Sequence, residues 1–374
     1  VEKKTFLGVI GGSGLYDLPG LSNIKEKSLS TPFGQPSDTI IAGELNGRPI
    51  AFLPRHGKGH RFTPSEVNYR ANIFALKSLG VTHILSGGAV GSLQEQYAPG
   101  TVVIPKQILD KTVGLRERTF FGKGVVGHVS LADPYCPEFQ KAVFNSCKSE
   151  GASVFHEGTY VCVEGPRFSS RSESHAFRSE GCGIIGMTAM PEAALAREAE
   201  IPYCTLAFVT DYDCWRENEE AVSVEAVLAV LKKNVDTSKR IVRSVLEALP
   251  MSSRNPIFNA AQFAIMTSPE LIPAETRRAL WPLYGKYWDT STGQNPAALR
   301  LFFQSPTLWL STSFQHSRIT IFIFSSKKAA QKLLLLILVM RSHWFIQSKP
   351  MASSPSSSFS LTITAITPAV CKLS

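Results

Sequence analysis

From Thr290 to Ser374 the chain has no aspartate and no glutamate, yet eight of its lysines and arginines lie there. Over all 374 residues there are 39 basic and 30 acidic side chains, a formal charge of +9. Without the eight tail cations, residues 1–289 hold 31 basic against 30 acidic groups, a net of +1. The basic excess is a property of the tail. The near-neutral remainder argues against a duplex-binding surface, so nucleic acid is not an expected partner and a small-molecule enzyme fits better.

Cysteine is also scarce. Seven are scattered without a Cys-x-x-Cys pair and their total is odd, which argues against a disulfide framework and for a reducing compartment. Several sit in apolar runs, where cysteine behaves as a small core residue. No grouping has metal-ligand spacing, so no metal is expected. The apolar run Leu333 to Met340 spans eight residues between Lys332 and Arg341, far below the ~20 that cross a bilayer, so a membrane span is not expected. Val1-Glu-Lys-Lys-Thr-Phe leads straight into a strand. No secretory leader is expected, and a start at Val1 reads as a trimmed or incomplete chain.

The length allows a large core and, by itself, two domains. Phe6 to Ile10 reads as a strand ending in Gly11-Gly-Ser-Gly-Leu15. These glycines match neither a Walker loop nor a full dinucleotide fingerprint, and a tight turn explains them equally well. Asp38 to Leu53 alternates like a hairpin turning at Asn46-Gly47. Its second strand leads into Arg55-His56-Gly57, residue types that can clamp an anion. Thr63-Pro64-Ser65-Glu66 predicts a capped helix running to about Leu79. Val81 to Leu85 predicts a strand that ends in the glycine-rich stretch Ser86 to Ser92.

Gly183 to Trp215 organises the rest. It reads as a short strand, a Met187-Thr188 turn, a helix opened by Pro191, and a buried strand from Tyr203 to Thr210 ending on Asp211 and Asp213. Glu192 suits the positive end of that helix. Ligands of open α/β sheets sit outside the carboxyl ends of strands, which places Thr188 and Asp211 at a pocket. The bland reading of Asp211 and Asp213 is a polar loop capping a following helix. An acid directly after a buried strand is partly desolvated, which favours its protonated form. Glu164 to Ser170 follows another strand, Thr159 to Val163. Phe168 there could stack on a flat ring, although a core aromatic is commoner. His128 defaults to a surface residue, and Val224 to Leu249 carries the stripe of a long amphipathic helix that closes the fold near Pro250.

Six motifs together carry a resemblance. They are Gly-Gly-Ser-Gly-Leu (11–15), Arg-His-Gly (55–57), Val-Asn-Tyr-Arg-Ala-Asn (67–72), Glu-Gly-Pro-Arg-Phe-Ser-Ser-Arg (164–171), Met-Thr-Ala-Met-Pro-Glu (187–192) and Thr-Asp-Tyr-Asp-Cys-Trp (210–215). In that order, residues 5–250 resemble the S-methyl-5′-thioadenosine phosphorylase family of trimeric purine nucleoside phosphorylases. The resemblance implies an α/β fold with a mixed central sheet flanked by helices, extended here by an atypical C-terminal segment. It implies phosphorolysis of methylthioadenosine to adenine and 5-methylthioribose-1-phosphate, with phosphate as co-substrate and no cofactor. The alternative is a phosphorylase of 6-oxopurine nucleosides or methylthioinosine; a nucleoside-binding protein without turnover is the rival from another class.

Position by position, the resemblance implies a phosphate site of Ser13, Arg55, His56, Gly88, Ala89 and Thr188. Gly88 stands where the family commonly has threonine. Met187 would lie along the ribose, Asp211 and Asp213 would read the purine, and Phe168 and Ser169 would sit at base and specificity positions. Val224 and His128 would sit near the methylthio end, His128 reaching in from a neighbouring subunit of a homotrimer. The implied compartment is the cytoplasm, with the nucleus as a second.

Residues 1–250 then form the catalytic domain. Residues 251–289 are a further segment in which Pro269 to Tyr287 can form a short helix. Residues 290–374 read as a disordered tail or translated non-coding sequence, with a membrane-surface or partner-binding role as the second reading on charge grounds.

Overall fold

In this computed structural model the described residues are 2–12, 18–217 and 224–288, together with the backbone of strands at 312–315, 318–324, 344–349 and 358–365. The chain divides into two compact units, Val1–Asp289 and Thr290–Ser374.

In the first unit the strands are β1 (Glu2–Lys4), β2 (Leu7–Gly11), β3 (Leu21–Lys27), β4 (Ile40–Leu45), β5 (Arg48–Pro54), β6 (His83–Ser92), β7 (Val102–Val103), β8 (Gln107–Lys111), β9 (Val154–Phe155), β10 (Thr159–Val163), β11 (Ile184–Gly186), β12 (Tyr203–Asp211) and β13 (Ser252–Arg254). The helices are α1 (Tyr69–Ser78), α2 (Pro137–Ser149), α3 (Arg171–Ser179), α4 (Ala189–Glu198), α5 (Val224–Ala248), α6 (Ala274–Ala279) and α7 (Trp281–Tyr284). Eleven strands form one mixed sheet. Its main path runs β3-β4-β5-β2-β6-β11-β10-β8, and β12 joins β6 to β7 and β9. The mixed α/β architecture expected from the sequence is therefore present.

β6 is the axis. One of its edges is covered throughout by β12, parallel from Tyr203↔Ile84 to Asp211↔Gly91. The other edge is shared. β2 pairs with it in parallel as far as Ile10↔Ser86, and β11 pairs antiparallel only at Gly91 and Ser92. Between them, residues 87–90 have no strand partner on that side. β2 is buried along its whole length and β12 along all but its last residue, as a strand covered on both faces must be.

The hairpin of β4 and β5 turns at Asn46 (φ 51°) and Gly47 (φ 73°), the left-handed pair that matches strand twist. Two other expectations are corrected. β6 does not stop at its glycines but runs ten residues through them, because β12 supplies a ladder along its full length. Thr63 does not open a helix. Glu66 accepts from Thr63 N at 2.9 Å and Oγ1 at 2.8 Å, closing a local turn. α1 starts later, with Asn68 as N-cap accepting from Ala71 N at 3.1 Å. The same Asn68 donates to Phe33 O at 2.7 Å, so a tertiary anchor selects this cap over the earlier one.

α5 packs through Ile241, Val242, Val245 and Leu246 onto the side of the sheet that includes Leu206 and Phe208. The long helix does not close the fold at Pro250. Ala261, Ile272, Leu280, Leu283, Tyr284 and Trp288 are buried in the same core as Ile73, Leu195 and Tyr203. Glu200, in the left-handed region at φ 58°, ties this segment down. It accepts from Ala261 N at 3.1 Å and from the Tyr287 hydroxyl, and pairs with Lys286 at 2.7 Å. The expected helix over 269–287 is broken into α6, α7 and short 3-10 turns around its prolines.

In the second unit, β14 (Thr312–Gln315), β15 (Arg318–Phe324), β16 (Trp344–Lys349) and β17 (Ser358–Ala365) pair antiparallel in the order β14-β15-β17-β16. Where composition suggests disorder, these four segments are extended and paired. Leu333 to Met340 lies outside the described residues.

Candidate active site

One end of the site is built where β5 stops. Arg55 turns inward and is 3% exposed, facing Glu192 at 0%. Its Nε donates to Glu192 Oε2 at 2.8 Å and its Nη2 to Oε1 at 3.0 Å. Nη2 also reaches Ser86 Oγ at 2.6 Å, and Nη1 donates to Gly87 O at 3.0 Å. Glu192 additionally accepts from the Ser86 hydroxyl at 2.7 Å and the Tyr203 hydroxyl at 2.8 Å. Burial opposes the Arg55 charge, but the Glu192 carboxylate outweighs it and raises the guanidinium pKa above its ordinary value. One Nη1 hydrogen remains, and Nη1 lies 3.8 Å from where a Cβ on Gly88 would stand.

His56 brings no charge either. Its Nδ1 lies 2.8 Å from Phe62 O. A carbonyl only accepts, so Nδ1 carries the proton and Nε2 keeps a lone pair. Burial, then the adjacent Arg55, push its pKa down to about 4. Arg55 is neutralised by Glu192 and His56 is neutral. An anion here meets dipoles rather than net positive charge.

The unpartnered edge of β6 forms a pocket lined by Ser86, Gly87, Gly88, Val90, Tyr160, Thr188, Ala189 and Thr205. Thr188 is the N-cap residue of α4 with no side-chain cap hydrogen bond, which leaves its hydroxyl uncommitted to the helix. Gly88 and Ala89 are both half-buried on the same strand. Gly186 is obligatory beside them, because a Cβ there would stand 2.0 Å from the Tyr160 hydroxyl.

The other end is built where β12 stops. Its register shifts between Val209 and Asp211, a bulge that re-aims the side chain after it. Asp211 accepts from Thr210 Oγ1 at 2.7 Å and from Asp213 N at 2.8 Å. Asp213 adopts a left-handed φ of 51°. Burial pushes both carboxyls above their ordinary range, and for Asp211 the Thr210 and Asp213 bonds only partly offset it. Gly91 makes the approach possible, since a Cβ on it would sit 2.9 Å from Asp211 Oδ1 and 3.3 Å from Asp213 Cβ.

Two loops lie beside these ends. The 164–170 loop leaves β10, and Met187 follows β11, the parallel neighbour of β10. Phe168 is 41% exposed and Ser169 half-buried, its carbonyl accepting from Cys214 Sγ at 3.2 Å. Met187 Sδ stands 2.5 Å from the position of a Cβ on Gly165. His128 is exposed on a separate segment, its N donating to Ala264 O at 2.9 Å. Ser13 and the Val224 side chain lie outside the described residues. Among the described residues no His, Cys, Asp and Glu group could hold a metal ion.

Sequence reasoning missed Glu192 as a site residue, and it missed Gly91 and Arg116. Glu192 looks like a helix-dipole residue because its partner lies 137 positions away. Gly91 is one glycine among several until Asp211 is seen against it.

Residues 6–247 match the model of the phosphorylase superfamily. The chain belongs to that superfamily. Within it the chain belongs to the S-methyl-5′-thioadenosine phosphorylase family. The S-methyl-5′-thioadenosine phosphorylase of Chloroflexus aurantiacus is 52% identical, over 76% of this chain and 98% of the relative. The S-methyl-5′-thioadenosine phosphorylase of Geobacter sulfurreducens is 49% identical over 75% and 98%. A crystal structure of a methylthioadenosine phosphorylase from an antarctic soil metagenomic library superposes with a TM-score of 0.71 at 48% identity, covering 75% of this chain and 99% of that one. An adenosine/methylthioadenosine phosphorylase mutant from Schistosoma mansoni, solved with adenine, gives 0.62 at 40% identity, covering 65% and 91%. In this chain the sheet order carries the ends of β5 and β12 to β6.

Proposed function

We propose that this chain cleaves S-methyl-5′-thioadenosine with inorganic phosphate, giving adenine and 5-methylthioribose-1-phosphate. The observation that carries the reading is the half-buried Asp211 and buried Asp213 carboxyls where β12 ends, packed against the same strand whose open edge lines a small pocket. Phosphate would occupy the pocket end, held by Thr188, the remaining Nη1 hydrogen of Arg55 and backbone donors around Gly88 and Ala89, with Ser13 completing it. His56 Nε2 would accept a hydrogen bond from a phosphate hydroxyl. Phe168, Ser169 and Met187 would flank the base and ribose, and Val224 and His128 would meet the methylthio group.

The glycosidic bond breaks ahead of attack, so positive charge grows on the ribose ring. The phosphate beside it stabilises that charge and then bonds C1′. Asp211, its pKa raised by burial, would donate toward N7 so that adenine leaves as a neutral base. General acid help of this kind is worth roughly 10²–10⁴-fold. Asp213 would accept from the 6-amino group, whereas a 6-oxo group would face it acceptor to acceptor.

The site reading includes a homotrimer with His128 supplied by a neighbour. Val126, Phe263, Met266 and Leu271 are large, apolar and 51% exposed or more. Val126 and Met266 join the same bridge as His128, through Met266 N to Val126 O at 2.8 Å. Such exposure is expected of a subunit interface. Among the described residues no helix is long and apolar enough to cross a membrane, and the cytoplasm is the proposed compartment.

The test is adenine release from methylthioadenosine by the full chain, with and without phosphate. Strict phosphate dependence supports the reading; equal release without phosphate would make the protein a hydrolase. Asp213→Asn should shift preference toward methylthioinosine by at least tenfold, and an unchanged ratio would remove Asp213 from the base site.

A further inference from the structure

Arg116 belongs to none of the motifs, yet it is among the best-satisfied cations in the molecule. Its side chain is 0% exposed. An arginine carries five N–H donors, and every one has an acceptor here. Nε donates to Glu164 Oε1 at 2.9 Å. Nη1 donates to Met187 O at 2.7 Å and Met190 O at 2.6 Å. Nη2 donates to Glu164 O at 2.7 Å and, at 3.5 Å, to Val163 O. The guanidinium also lies over the Tyr69 ring, 5.6 Å from its centroid.

The acceptors fall into two groups. Val163 and Glu164 open the loop that carries Phe168 and Ser169. Met187 and Met190 flank Thr188, where the turn after β11 enters α4. Three of these carbonyls lie at the ends of β10 and β11 and that of Met190 lies at a non-helical residue at the start of α4, and buried carbonyls without a regular backbone partner must find donors elsewhere. Glu164 reinforces the junction by also accepting from Val113 N at 2.8 Å and from the Ser65 hydroxyl. The loops meet directly as well, at Gly165 against Met187.

We propose that Arg116 is a positioning residue for the nucleoside half of the site, setting the spacing between the 164–170 loop and Met187. The inference rests on the functional reading above. A lysine cannot replace it, because a single ammonium offers three donors from one point rather than a planar fork spanning two loops. Small displacements of substrate-positioning groups cost up to 10²-fold in rate. Arg116 also holds the carbonyls on either side of Thr188, so the phosphate end shifts with it, but the pocket at Gly88 and the Arg55–Glu192 pair make no hydrogen bond to Arg116, and the larger effect should fall on the nucleoside half.

The experiment compares Arg116→Lys and Gly165→Ala with the unaltered full chain, measuring KM for methylthioadenosine, KM for phosphate, kcat, and adenine affinity by calorimetry. Gly165→Ala approaches the same spacing from the other side, since a methyl at φ 68° would press on Met187, and it leaves Arg116 intact if the lysine variant does not fold. The expected result for both variants is a rise of tenfold or more in the methylthioadenosine KM and weaker adenine binding, with a smaller rise in the phosphate KM. Equal shifts in both KM values, or no shift in a folded variant, would overturn the positioning role. No phosphate-dependent adenine release by the unaltered chain would instead overturn the functional reading on which it rests.

Discussion

Glu192 illustrates how a residue's chemistry depends on what folding brings to it. Beside Pro191 at a helix start it looks like a carboxylate placed for the dipole, a surface effect worth a few tenths of a kcal/mol to about 1. In the fold it is fully buried and accepts from Arg55, Ser86 and Tyr203. Removing one partner of a buried pair leaves the other charge uncompensated, at about 3–5 kcal/mol. Glu192→Gln should therefore lower unfolding free energy by about that amount in urea titrations. A loss below ~1 kcal/mol would mean that Arg55 finds another partner or water. The acids at 211 and 213 were legible because a buried apolar strand visibly runs into them. Glu192 was not, because nothing local distinguishes a helix-start glutamate that faces water from one that faces an arginine.

At the scale of elements, β6 and α1 show opposite lessons. The glycines at 87, 88 and 91 suggest a strand that gives out, but pairing with β12 supplies the hydrogen bonds that hold it extended. Gly91 in particular leaves room for Asp211. At the local capping signal only half of the box forms, Glu66 accepting from Thr63 N while the Thr63 hydroxyl donates to the same carboxylate, and the helix begins after Asn68, which bonds both Ala71 N and Phe33 O. Asn68→Ala should cost about 1 kcal/mol for the lost cap, read as a drop in thermal midpoint. If the midpoint is unchanged, Thr63 can take over the start and the tertiary anchor does not decide it. The hairpin and the strand at Thr159 to Val163 matched their reading because alternation and an Asn-Gly turn are local properties.

For the whole molecule, pH couples several sites to stability. Burial pushes Glu198 up to about 7 from its ordinary 4.5, against opposing bonds from Phe120 N and Thr119 Oγ1. Its folded pKa lies above the unfolded one, so its contribution is full below about pH 4.5 and is lost as pH rises through about 7. His56 and His83 run the other way. Both fall to about 4 from 6.5, chiefly by burial, so they disfavour the fold increasingly as pH drops from about 6.5 toward 4. Glu198→Gln should therefore flatten the decline in urea midpoint between pH 4.5 and 7, and an unaltered slope would show that Glu198 ionises freely. The proposed trimer belongs to this scale too. Sedimentation should give three copies, and a monomer at micromolar concentration with full activity would remove His128 from the site.

The sequence by itself determined the family, the mixed α/β class, the order of the motifs and the identity of the groups that can do the chemistry, because these reside in local patterns of residue type. Only the tertiary structure decided which groups meet. It paired Arg55 with Glu192, set Gly91 beneath Asp211, gathered two loops on Arg116 and drew Ala261, Ile272, Leu280, Leu283, Tyr284 and Trp288 into the core. Each of those contacts joins segments far apart in the chain, through a sheet order that no local periodicity contains, and burial then alters charge and pKa in ways that composition cannot register.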